Sequence, residues 1–147
     1  MINVDAVEVL LVEDNSEHVE LTLRALRQSH VANNVLVAKD GEEALEYIFG
    51  AGPQAHRQIE NHPKLILLDL KLPKVDGLEV LRRIKSDERT KIIPVVVLTT
   101  SAQEQDVVET YRLGVNSYIV KPCNFEKFVR AVSELGLYWM LLNKPPR

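Results

Sequence analysis

The chain has 147 residues, the length of one ordinary domain, and its 46% hydrophobic and 27% charged residues exclude disorder, collagen and coiled coil. Eighteen Lys and Arg against 21 Asp and Glu give a formal net charge of −3, which argues against binding nucleic acid directly through its phosphate backbone. The opening MINVDAVEVLLVED has no basic region and no long apolar run, and Cys123 is the single cysteine. A signal peptide, a membrane span and an internal disulfide are therefore not expected, and the protein reads as cytoplasmic.

In chain order, residues 7–12 form a nearly continuous apolar run that reads as a first strand, ending in Glu13-Asp14. A helical pattern follows, with His18 in its first turn or so, where it reads as a surface or helix-end residue. Residues 35–38 read as a second strand. The polar segment 50–63, with two Gly and two Pro, reads as a long surface loop. Residues 65–68 form a third strand ending in Asp69, after which Asp76 and Glu79 have capping-box spacing. Residues 94–98 form a fourth strand running into Thr99-Thr100, and Ser101 with Glu104 repeats the capping spacing. Gly114 is placed to end that helix. Residues 117–120 form a fifth strand running into Lys121, and Asn124 is a candidate cap for a last helix carrying the stripe Phe125, Phe128, Val129, Val132 and Leu135. Short buried strands alternating with crossover-length helices define an α/β fold of five βα units on a parallel sheet, a (βα)5 doubly wound arrangement.

Ligands of such sheets gather outside the carboxyl ends of the strands. Glu13, Asp14 and Asp69 should converge there with the Thr99 hydroxyl and the Lys121 ammonium. Each has an ordinary reading alone: acids at strand ends begin turns, Thr fills strands, and a loop lysine is exposed. Asp69 resists it, because it closes a four-residue apolar run and must be largely buried. Three carboxylates this close repel one another unless a hard divalent cation, most naturally Mg²⁺, sits among them and leaves coordination sites open for a phosphate.

The segments LLVEDN (10–15), LILLDLKLPKVDG (65–77), PVVVLTTSA (94–102) and YIVKP (118–122) together resemble the receiver domain of two-component response regulators. The resemblance spans almost the whole chain and implies a flavodoxin-like strand order of 2-1-3-4-5. It implies that Asp69 accepts a phosphoryl group from a sensor histidine kinase. Glu13, Asp14, the Asp69 carboxylate and the Lys71 backbone carbonyl would hold Mg²⁺, for which Mn²⁺ can substitute. Thr99 would donate to the phosphoryl group, Lys121 would pair with it, and Tyr118 would turn inward as Thr99 moves; ordinary sheet packing is the alternative for Tyr118. Lys121-Pro122 is the position at which this family usually has a cis bond, and Ser101 and Lys71 occupy positions that tune dephosphorylation. Self-phosphorylation from small donors and autodephosphorylation are the only chemistry expected of it, so the protein is not an enzyme in the ordinary sense.

The run 137–142 (LYWMLL) is apolar on every face of a helix, so part of it must be covered. A homodimer interface through Tyr138, Trp139, Leu141 and Leu142 is expected, with a local fold-back as the alternative. This end, the long loop and LTTS look most like the single-domain cyanobacterial phytochrome-associated response regulators, which implies a phytochrome-type kinase as partner. The domain division is then one receiver over 1–147, with its core at about 6–136, a loop at 50–63 and an extension at 137–147.

Three other readings compete. An aspartate-nucleophile phosphohydrolase would have an acid two residues after Asp69, where Lys71 stands. A nucleotide or flavin site would have a glycine-rich first turn, where Glu13-Asp14-Asn15-Ser16 stands. A phosphorylation-silent, protein-binding receiver would lack part of the constellation that this chain keeps whole. His30, His56 and His62 show no metal-ligand spacing, and Cys123 reads as a packing residue.

Overall fold

The computed structural model describes residues 8–28, 34–50, 62–121, 126–127 and 129–130. Its elements alternate along the chain: β1 (Val9–Val12), α1 (Ser16–Gln28), β2 (Val35–Ala38), α2 (Gly41–Phe49), β3 (Leu65–Leu68), α3 (Gly77–Ser86), β4 (Val95–Thr99), α4 (Glu104–Leu113) and β5 (Ser117–Val120). All neighbouring strands are parallel, in the order β2-β1-β3-β4-β5, as the sequence led us to expect. Residues 126–127 and 129–130 are helical and belong to the expected last helix. Pro122, Cys123, Asn124 and the apolar run with Tyr138, Trp139, Leu141 and Leu142 lie outside the described residues, as do His30, His56 and nearly all of the 50–63 loop.

Because side chains alternate along a strand, each central strand feeds two cores. Leu10, Ile66, Leu68, Val95 and Val97 pack with Ala44 and Ile48 of α2 and Val80, Leu81 and Ile84 of α3. Val9, Leu11, Leu65, Leu67, Val96 and Leu98 pack on the other face with Ala25 and Leu26 of α1, and with Val129. The three-layer sandwich leaves the strand ends as the place where polar groups can meet. There the backbone ladder runs one residue past the strands: the Asp69 N–H donates to Val12 O at 3.0 Å and the Glu13 N–H to Ala38 O at 3.0 Å.

Helix starts depart from the expected capping boxes. Asp76 stands at the N-cap of α3 but makes no side-chain cap bond, and Glu79 turns instead to Arg82 and Arg83. A guanidinium attracts a carboxylate more strongly than a neutral backbone N–H does. The helix after β4 starts later than expected, at Glu104 with Gln103 as N-cap, and the Ser101 hydroxyl is drawn to the Asp106 carboxylate. Side-chain caps form at Asp40, which accepts from the Glu43 N–H at 2.8 Å, and at Asn15. Gly114 ends α4 as expected, at φ 104°, its N–H bonded to Thr110 O and Tyr111 O. Gly77 begins α3 against the loop after β3, where a Cβ would lie 2.4 Å from Asp69 O, so only glycine lets the helix approach this closely.

Candidate functional site

Three carboxylates converge where β1 and β3 end side by side. Glu13 is 2% exposed, Asp69 is 7% exposed, and Asp14 lies in the open. One oxygen from each falls within 4.8 Å of the others. Such a set of hard oxygen donors, too close to remain uncompensated, fits Mg²⁺ or Mn²⁺. Asp69 Oδ1 also accepts from the Lys71 N–H at 3.2 Å, and Glu13 Oε2 from the Asn15 N–H at 3.2 Å. Both bonds fold the loops after β1 and β3 back over their own carboxylates.

Lys121 brings the balancing charge from the far edge of the sheet. Its N–H donates to Thr99 O at 2.6 Å, extending the β4–β5 pairing, and its side chain then crosses the ends of β4 and β3. The ammonium donates to Glu13 Oε1 and lies 3.7 Å from Asp69 Oδ2, with both the lysine and glutamate side chains 2% exposed. Burial pushes the Glu13 carboxyl up to about 7 against the opposing pull of the Lys121 hydrogen bond. Glu13 was expected to serve a cation; in this structure it accepts from Lys121.

Thr99 is fully buried at the last position of β4, where its Oγ1 accepts from the Ser101 N–H at 3.3 Å. Tyr118, half-buried on β5, donates its hydroxyl to Ser101 O at 2.8 Å, and burial raises its pKa. Thr99 and Tyr118 are thus joined through one loop, the segment between β4 and α4. The structure therefore gathers Glu13, Asp14, Asp69 and Lys121 around one point and links Thr99 and Tyr118 beside it.

His18 is a member of the site that sequence reasoning placed elsewhere. Asn15 Oδ1 caps α1 by accepting from the Glu17 N–H at 2.9 Å and the His18 N–H at 3.1 Å. This seats the first turn of α1 over the carboxylates, with His18 Nδ1 3.0 Å from Lys121 Nζ and 3.8 Å from Glu13 Oε1. Burial, and then the Lys121 charge, lower the His18 pKa. The available signal was Asn15 itself, an N-cap residue directly after two strand-end acids, which puts His18 in the first turn of α1.

A doubly wound parallel sheet whose strand ends gather three carboxylates and a lysine is the arrangement of a signalling receiver. Residues 9–133 match the response regulator receiver domain family, and the chain belongs to it. It is 43% identical over 141 residues to the probable methanogenesis regulatory protein FilR2 of Methanothrix harundinacea, covering 94% of this chain and 86% of that protein. It is 40% identical over 134 residues to the response regulator Rcp1 of Synechocystis, covering 90% and 88%. Among solved structures, the phosphorylated cyanobacterial phytochrome response regulator RcpA superposes with a TM-score of 0.85 at 42% identity, over 95% of this chain and 98% of that one. The Mn²⁺-bound form of Rcp1 gives 0.84 at 37% identity over 95% and 98%. The bacteriophytochrome response regulator RtBRR gives 0.77 at 51% identity over 95% and 83%. The chain is thus a response regulator receiver related to phytochrome response regulators.

Proposed function

We propose that this receiver accepts a phosphoryl group from a sensor histidine kinase of the phytochrome type, on Asp69, in a Mg²⁺-dependent reaction. The observation that carries the reading is the Lys121 ammonium, buried between Glu13 and Asp69 beside three convergent carboxylates. A carboxylate oxygen of Asp69 attacks phosphorus, the bond from phosphorus to the donor histidine nitrogen breaks, and the imidazole keeps that electron pair. Glu13, Asp14, Asp69 and the Lys71 carbonyl would hold a divalent cation, which would supply positive charge where the transferring group develops negative charge. Lys121 pairs with the transferred group and Thr99 donates its hydroxyl to it. The bond from Tyr118 to Ser101 O ties β5 to the loop that follows Thr99, so a shift of Thr99 is felt on the α4 and β5 face. Autodephosphorylation returns the protein to its starting state, in the cytoplasm. The chain signals by this change of shape and by pairing with a second copy.

Mg²⁺ with acetyl phosphate should add one phosphoryl mass to the wild type and none to Asp69→Asn, and beryllofluoride should bind the first protein alone. Mn²⁺ should replace Mg²⁺. Equal labelling of the two proteins would refute Asp69 as acceptor. Phosphotransfer from a panel of histidine kinases tests the partner, a phytochrome-type kinase being expected to react fastest.

A further inference from the structure

We propose that His18 is a positioning residue for Lys121, taking one of the three ammonium donors so that another is turned toward Asp69. The inference rests on the acceptor reading of Asp69 given above.

A lysine ammonium has three N–H donors and no acceptor. Glu13 Oε1 takes one of them and His18 Nδ1, at 3.0 Å, takes a second. A nitrogen that accepts from an ammonium carries no proton, so the imidazole is the neutral tautomer with its proton on Nε2. Two fixed bonds leave one direction for the third donor. Asp69 Oδ2 lies 3.7 Å away, within ion-pair range but beyond a good hydrogen bond, and a phosphoryl group on Asp69 adds acceptor oxygens beyond that carboxylate. A four-carbon stem held only at Glu13 would keep rotational freedom that must be lost in the reaction; a second anchor removes it beforehand.

His18 is itself built to hold still. Its backbone N–H is bonded to Asn15 Oδ1 at 3.1 Å, and its carbonyl accepts from the fully buried Thr22 hydroxyl at 2.8 Å. Its side chain is 30% exposed while that of Lys121 is 2% exposed, so the ring also screens the ammonium from solvent. A surface or docking histidine needs neither the buried partner nor the bonded backbone.

The test compares wild type, His18→Ala and His18→Asn. Asn Oδ1 stands the same number of bonds from Cα as His Nδ1 and can accept at the same place. Phosphorylation by acetyl phosphate in Mg²⁺ should slow about tenfold in His18→Ala, the scale of one lost hydrogen bond to a charged group, and return to within about threefold of wild type in His18→Asn. Mn²⁺ affinity, read by electron paramagnetic resonance, should change less than about twofold in either variant, because the carboxylates are untouched. In ¹⁵N-lysine spectra the slowly exchanging Lys121 ammonium signal should persist in wild type and His18→Asn and vanish in His18→Ala. That spectrum is read without phosphorylation, so it stands even if Asp69→Asn is still labelled and the acceptor reading fails. The proposal is overturned if His18→Ala keeps the ammonium signal and the wild-type rate, if only transfer from a kinase slows, or if both variants lose rate and Mn²⁺ affinity together.

Discussion

Glu13 and Lys121 form a buried pair whose partners lie 108 positions apart in the chain. Removing one member leaves the other's charge uncompensated, which costs on the order of 3–5 kcal/mol when the pair is well buried. Lys121→Met should therefore lose about 3 kcal/mol in urea unfolding. Glu13→Gln combined with Lys121→Met should recover most of that loss, since neither partner then carries a stranded charge. A loss in the double variant equal to the sum of the two single losses would show that the pair is not coupled. At this scale Asp69 was legible in the sequence, because an acid closing LILL has no bland account. Lys121 was legible only in company, and His18 was not legible as a site residue. Which nitrogen meets which ammonium depends on a cap, a helix direction and a strand order, of which only the cap, Asn15, shows in the sequence beside His18.

The strands were read closely because continuous apolar runs have few alternatives, and the shift of β4 by one residue, to Val95–Thr99, puts Thr99 in the ladder. Helix starts were read less well. A capping box requires that the glutamate have no better partner, and the basic pair Arg82-Arg83 gives Glu79 one. The end of α3 holds a further test. Lys85 reaches back to donate to Lys91 O at 3.0 Å and Ile93 O at 2.6 Å, joining the helix to the turn before β4. Burial pushes its ammonium down to about 8, from the ordinary 10.5. Between those two values the folded chain binds fewer protons at this position than the unfolded chain, so stability rises with pH across the window. Relative to Lys85→Met, which has no such group, wild type should gain stability on going from pH 7.5 to 9.5 in urea unfolding. A difference that stays constant would mean that Lys85 titrates alike in both states.

On the whole molecule, the strand order followed from the family resemblance, whereas alternation alone gave only a parallel sheet. Val108 and Tyr111 of α4 and Val120 of β5 are 48%, 51% and 40% exposed, so this side of the molecule presents apolar side chains among the described residues. The family match stops at residue 133, short of the apolar run from 137. If two copies assemble as proposed above, Trp139→Glu should weaken self-association in sedimentation at fixed concentration. A monomeric wild type, or a dimer that Trp139→Glu leaves intact, would remove that interface. The strand order has a further consequence for how the chain matures. All three carboxylates are contributed by β1 and β3, the interior strands that belong to the first half of synthesis, whereas the ammonium follows the edge strand β5. The carboxylates of the proposed cation site thus precede the sheet's last strand in the chain, while the lysine proposed to pair with the phosphoryl group follows that strand. Phosphorylation of Asp69, as proposed above, would then depend on the closing of the whole sheet.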